Sequence, residues 1–187
     1  MNIELIPLLP EDKDITDLMR IHASPSVAKY IHISENYFDY VTNTDKVIYY
    51  KILWNRVLAG GVHCEYADGT MFLGICIDEI YRRHGIAEAA LNQLFLAQSN
   101  DVNVIEVSID ETNVPSLSLF QKLGFSQIGR EEELIILRKL LCEQIPVCRD
   151  YYFSNSLCEE LEGQEKDSSQ LLEFRYVYSL EGIREPL

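Results

Sequence analysis

The segment Arg82-Arg83-His84-Gly85-Ile86-Ala87 holds the residue types that suit an anionic phosphate, in the order a phosphate site needs them. An apolar run, residues 71–77, reads as a buried strand; the basic turn follows it, and an alanine-rich amphipathic stretch follows the turn. A helix starting there offers unpaired backbone N–H groups and a partial positive charge. Gly85 and Ala87 leave room for a diphosphate to approach the backbone, while Arg82, Arg83 and His84 add charge from the side. The pattern is not a P-loop, because no Lys-Ser/Thr follows the glycine. Nor is it a dinucleotide fingerprint, because the second and third glycines are missing. The plainer reading of the same residues is a strand, a turn and a helix with solvated arginines.

A second segment downstream decides between them. Residues 104–113 (VIEVSIDETN) read as a strand and residues 114–123 as a helix ended by Gly124-Phe125. Asn113 or Thr112 can cap that helix, Pro115 is tolerated in its first turn, and Gly124 supplies a left-handed stop. Together the two segments resemble the GNAT superfamily of N-acetyltransferases. The family's acetyl-CoA signature is Gln/Arg-x-x-Gly-x-Gly/Ala, which Arg82 to Ala87 fits. Its second hallmark is an Asn, a small residue three on, an aromatic and a Lys-x-Gly-Phe ending; Asn113, Ser116, Phe120 and Lys122-Leu123-Gly124-Phe125 fit it.

The resemblance covers residues 3–141 and implies acetyl-CoA as co-substrate, with a primary amine as acceptor. A protein N-terminus, a ribosomal-type protein or a small amine would serve. It implies that the cofactor arm pairs with the backbones of Ile75, Cys76 and Ile77, and that the diphosphate sits on the N–H groups from Arg83 to Ala87. A backbone N–H of the fourth strand would polarise the thioester carbonyl. Asn113 would bind the arm or a bridging water, or act purely as a cap. Phe120 stands where many relatives keep a Tyr that protonates the departing thiolate. Here water or another donor serves, or the thiolate leaves unaided, its reference pKa being about 8.5.

The base is a choice among carboxylates and histidines. Glu106, Ser108 and Asp110 alternate on one face of the fifth strand, and Glu106 is the first candidate catalytic residue; a solvated strand face is its plainer reading. His63 and Glu65 on the third strand come second. Tyr30, Tyr37, Tyr40, Tyr49, Tyr50 and Tyr66 suit an acceptor pocket or a core. A non-catalytic acyl-CoA-binding sensor or interaction module is the competing function, kept alive by Phe120 and the absence of an obvious base.

The elements that position these groups give a mixed α/β order with a central, mostly antiparallel splayed sheet flanked by helices. Strands are predicted at residues 3–9, 46–53, 57–66, 71–77, 102–109, 126–129 and 134–140. Helices are predicted at 11–23 and from Ile86, where Ile86, Ala90, Leu94 and Ala97 form one stripe; 27–31 forms a short turn of helix. Asn55-Arg56 marks a hairpin and Asp68-Gly69 a second turn.

A chain of 187 residues is long enough for one sizeable core. A net charge of −14 argues against a nucleic-acid partner and suits either a cationic acceptor or solubility alone. The five cysteines lack Cys-x-x-Cys spacing, so reduced thiols and no metal are expected. No apolar run approaches the roughly 20 residues of a membrane span, and the first ten residues lack a basic signal region, which implies a cytoplasmic protein. Beyond the acetyltransferase domain, residues 1–141, lies an extension, 142–187, with an acidic stretch at 159–170. Within it, 172–180 is a strand-like alternation that pairs within its own subunit or across a homodimer.

Overall fold

The computed structural model describes residues 2–99 and 101–141. The expectations for 142–187, including the strand at 172–180 and the dimer it suggests, lie outside these residues. Met1–Leu141 forms one unit of the chain, distinct from Cys142–Leu187.

Seven strands form one sheet: β1 (Ile3–Pro7), β2 (Val47–Trp54), β3 (Val57–Ala67), β4 (Thr70–Ile77), β5 (Val104–Asp110), β6 (Ser126–Glu131) and β7 (Leu134–Leu140), in the order β1-β2-β3-β4-β5-β7-β6. Every neighbouring pair is antiparallel except β4 with β5. Among the described residues five helices accompany it: α1 (Ile15–Ala23), α2 (Pro25–Ala28), α3 (Tyr37–Asn43), α4 (Ile86–Leu96) and α5 (Val114–Lys122). This is the mixed α/β sheet that the motifs imply. No helix among the described residues is long and apolar enough to cross a membrane.

Local chemistry sets the turns. Asn55 and Arg56 both take positive φ, 49° and 68°, the twist that joins two strands in a two-residue hairpin. Asp68 and Gly69 repeat the arrangement at 47° and 75°. Helix α1 starts later than its periodicity suggests. Glu11 turns the chain at φ 60°, and the carboxylates of Asp12 and Asp14 fold back onto buried Lys51 of β2 at 2.8 and 2.7 Å. Helix α3 was not expected at all. It is built from Tyr, Phe, Val, Thr, Asn and Asp, poor helix formers, and it exists because Tyr37, Phe38 and Val41 bury against the sheet.

Two apolar cores result. One gathers Met71, Leu73, Ile105, Val107 and Leu137 from the strands with Ile86, Ala90, Leu91 and Leu94 of α4 and Phe120 of α5. Ala97, expected on the α4 stripe, is the exposed C-cap, and Leu91 takes its place. The other core gathers Leu18, Ile21, Val27, Tyr37 and Phe38 over Tyr49 and Cys76.

The feature that positions the site is a parting of strands. β4 pairs with β3 along its whole length, Thr70 to Ile77, but with β5 only at Thr70, Met71 and Phe72. From Leu73 onward β4 keeps one ladder and β5 diverges from it.

Candidate active site

Where β4 and β5 part, a cavity of about 540 Å³ opens, lined on one side by Ile75, Cys76 and Ile77. Successive strand side chains point to opposite faces. Three consecutive residues line one cavity only if it runs along the strand's edge, so backbone N–H and C=O groups of β4 face it.

The far end of β4 leads through a 3-10 turn, Glu79–Tyr81, into α4. Arg83 and Gly85 both have positive φ, 65° and 75°, and their backbone turn delivers the start of α4 to the cavity, which Arg82, Arg83, Gly85, Ile86, Ala87 and Glu88 line. The first intrahelical bond at this end runs from Ala89 N to Gly85 O at 3.0 Å. The N–H groups of Ile86, Ala87 and Glu88 therefore have no helical acceptor, and no side chain caps them from Gly85. Gly85 at this N-cap is what leaves the donors uncovered.

The cationic side chains divide. Arg82 Nε donates to Ile77 O at 2.9 Å, fastening the turn to the strand end while still lining the cavity. Arg83 is exposed. His84 does not line the cavity: its ring lies on Trp54, centroids 5.1 Å apart, and its Nδ1 is 3.2 Å from Tyr81 O.

The opposite wall comes from Val27, Tyr30 and Ile31, with Asn113, Pro115, Ser116 and Leu119 of the α5 start. Asn113 lines the cavity and accepts from Ser116 N at 3.4 Å as the cap of α5. Tyr30 donates to Thr112 O at 3.4 Å, tying the α2 segment to the β5–α5 loop. Lys29, 4.8 Å over its ring, pulls the Tyr30 hydroxyl below its ordinary pKa by hydrogen bonding and charge. Val27, Ile31 and Leu119 are lining residues the sequence did not single out; the i, i+3, i+4 spacing of Val27, Tyr30 and Ile31 is the signal that carries two of them.

Phe120 and Glu106 stand elsewhere. Phe120 is buried in the α4–α5 core with its ring edge-on to Phe125 at 5.0 Å, and it does not line the cavity. Glu106 is buried on β5, also outside the lining; its Oε2 accepts from Arg138 Nε and Nη2 at 3.2 and 2.8 Å.

Behind β4 two buried clusters meet. His22 Nε2 lies 3.0 Å from the Tyr49 hydroxyl and 3.5 Å from Cys76 Sγ. Burial pushes the Cys76 thiol up to about 11, and burial with the charge of His63 pushes His22 down to about 4. Both are neutral at pH 7. The other cluster joins Tyr37, His63 and Glu65. Among the described residues, no group of three or more His, Cys, Asp or Glu is arranged to hold a metal.

The model of the acetyltransferase (GNAT) family matches residues 15–125. The chain belongs to the GNAT family. Solved structures agree at the level of fold. NAA60 of Arabidopsis thaliana in complex with acetyl-CoA is similar at TM-score 0.62 and 17% identity, over 75% of this chain and 99% of that one. The N-acetyltransferase PseH of Campylobacter jejuni in complex with acetyl coenzyme A gives 0.60 and 11%, over 75% and 100%. An aminoglycoside N(6')acetyltransferase of Legionella pneumophila gives 0.62 and 13%, over 75% and 94%. No individual curated protein matches the chain. The GNAT match begins at α1 and ends at Phe125, so it spans both the parted strands and the two helix starts described above.

Proposed function

We propose that this GNAT protein is an acetyl-CoA-dependent N-acetyltransferase that moves an acetyl group to a primary amine by direct attack in a ternary complex. The observation that carries the reading is the cavity itself, an unpaired strand edge at one end and the uncapped start of α4 at the other. An extended amide-bearing arm fits the first and a diphosphate the second. Ile75, Cys76 and Ile77 would hold the arm through their backbones, with Asn113 across from them. The N–H groups of Gly85, Ile86 and Ala87 would take the diphosphate, with Arg82 and Arg83 adding charge and His84 contributing its backbone alone. Phe120 would then serve this site indirectly, by seating α5 in the core.

Bound acetyl-CoA supplies an activated carbonyl and a fair leaving group; the chain has to align an amine, remove its proton and steady the developing oxyanion. A β4 backbone N–H at the parting suits the last task. Direct attack is favoured over an acyl-enzyme because Cys76, whose thiol sits in the buried cluster with Tyr49 and His22, is held protonated by burial, and neutral His22 beside it has no thiolate to pair with. The acceptor would be a cationic amine, such as a protein N-terminus or a polyamine, for which a chain of net charge −14 is an attractive surface.

Calorimetry with acetyl-CoA, followed by CoA release across a panel of peptides and small amines, tests the reading. Micromolar binding and release with at least one amine are expected. Binding without release from any amine would leave a non-catalytic acyl-CoA sensor, and no binding would remove both.

A further inference from the structure

Two buried carboxylates share one face of the sheet at the place where it parts. Glu65 of β3 pairs with Phe72 of β4, Phe72 with Glu106 of β5, and Glu106 with Arg138 of β7. Directly opposed residues share a face, so Glu65 and Glu106 flank Phe72. Phe72 is also the last β4 residue paired with β5. Two residue pairs further along, and so on the same face, His63 pairs with Gly74, which has no side chain to fill the face beside the opening. Glu65 thus stands one strand away from β4, whose far edge borders the gap; like Glu106 it is outside the residues that line the cavity.

The two carboxylates differ in their partners. Glu106 is neutralised by Arg138, whose two nitrogens bond one oxygen. Glu65 is 6% exposed, yet among the described residues its nearest cation-forming group is His63 Nε2 at 3.8 Å, beyond hydrogen-bond reach, and none donates a hydrogen bond to it. His63 is fixed from its other side, Nδ1 lying 2.9 Å from the Tyr37 hydroxyl with the two rings stacked at 5.9 Å. With Tyr37 donating to Nδ1, the imidazole proton sits on Nε2 and points its dipole at Glu65. A carboxylate largely, though not wholly, withdrawn from water and without a full counter-charge is costly, and an arriving ammonium would offset that cost.

We infer that Glu65 holds the acceptor's ammonium and takes its proton, with His63 and Tyr37 as positioning residues; the inference rests on the transferase reading above. One proton passes from the ammonium to a Glu65 oxygen. The freed nitrogen pair forms the bond to the acetyl carbonyl carbon, the carbon–sulfur bond breaks with its electron pair on sulfur, and the sulfur takes the second nitrogen proton. Glu65 then returns its proton to solvent. The titratable groups around it are His63 on its own strand, Tyr40 and Tyr37 from α3, Glu106 from β5, and Tyr49 and His22 behind His63.

The test uses the full chain, acetyl-CoA and a panel of primary amines. Glu65→Gln is expected to lower kcat/KM by about 100-fold or more, to keep acetyl-CoA affinity by calorimetry, and to leave the melting temperature unchanged or higher. Tyr37→Phe and His63→Asn are expected to lower kcat at unchanged acetyl-CoA affinity and to shift the acid limb of the kcat/KM pH profile. If the wild type is active and Glu65→Gln stays within threefold of it, the inference falls and the transferase reading stands. A 100-fold loss from Glu106→Gln alone overturns it in favour of Glu106. Failure of Glu65→Gln to fold makes Glu65 a structural ion and also overturns it. A wild type that binds acetyl-CoA and acetylates no amine removes both readings together.

Discussion

Replacing Gly85 by Asp separates the folding role of the α4 start from its binding role, because the two respond with different sizes. Gly85 sits at φ 75° as the N-cap, and the N–H groups of Ile86, Ala87 and Glu88 beyond it have no helical acceptor. An L-residue in this conformation costs about 1 kcal/mol, Asp being one of the better tolerated. An Asp carboxylate accepting one or two of those N–H groups returns about 1 kcal/mol as a helix cap. Stability should therefore change little. A diphosphate, by contrast, would meet its donors already taken and a negative charge about 4 Å away, worth about 1 kcal/mol in water and about 4 at an effective dielectric of 20. An intermediate 2 kcal/mol corresponds to roughly thirtyfold weaker acetyl-CoA binding. Gly85→Ala keeps the donors free and should show the reverse, a melting temperature lower by about 3 °C with a smaller loss of affinity. Calorimetry with acetyl-CoA, and kinetics with acetyl-pantetheine, which lacks the diphosphate, read the two effects apart. A folded Gly85→Asp protein that binds acetyl-CoA within threefold of the wild type would refute the assignment of α4 as the diphosphate site.

Two further substitutions probe the frame around it. Lys51→Met should cost about 2 kcal/mol in urea unfolding, since it leaves the Asp12 and Asp14 carboxylates facing an apolar group. Burial, the largest single influence, lifts the Asp12 carboxyl, but the Lys51 hydrogen bond, the Asp14 backbone N–H and the charges of Lys51 and Lys13 together hold it below 3.8; Lys51 itself is held above 10.5 by both aspartates against the pull of burial. The Asp12 part of the stabilisation is thus present above pH 3.8 and lost as pH falls through its folded value. The Lys51 part is present below pH 10.5 and lost as pH rises through its own. A difference between wild type and Lys51→Met that stayed constant into acid would contradict this. Phe120→Tyr places a hydroxyl beside Phe125 in the core and should cost about 1 to 2 kcal/mol of stability without raising kcat. A tenfold rise in kcat at full stability would show instead that the hydroxyl reaches the departing sulfur.

The contrast between Asn113 and Glu106 shows how far local pattern carries. Asn113, Gly124 and the Asn55-Arg56 turn act on backbone within a few residues of themselves, and a cap, a stop and a hairpin are what the structure has there. The signature turn at Gly85 is equally local. The partners of Glu106 and Lys51 lie 32 and up to 39 residues away, so no spacing in the sequence announces that one is neutralised and the other clamps the approach to α1. Helix α3 escapes notice for a related reason: its propensities are weak, and the sheet holds it through Tyr37, Phe38 and Val41. The cavity itself belongs to neither strand alone. It arises because β5 follows β7 along its whole length while β4 follows β3, and only a register across four strands reveals it.

The parted strands also make the thermal behaviour of the protein depend on mass action. A flank of β4 with no ladder is a seam, and whatever fills it in the folded state alone stabilises that state by RT ln(1 + [L]/Kd), about 2.7 kcal/mol at a hundredfold excess over Kd. Those amide protons between Leu73 and Ile77 that point away from β3 would then exchange with solvent at rates set by ligand concentration as well as by the fold. Without ligand, each side of that seam is held by one ladder alone, β4 by β3 and β5 by β7.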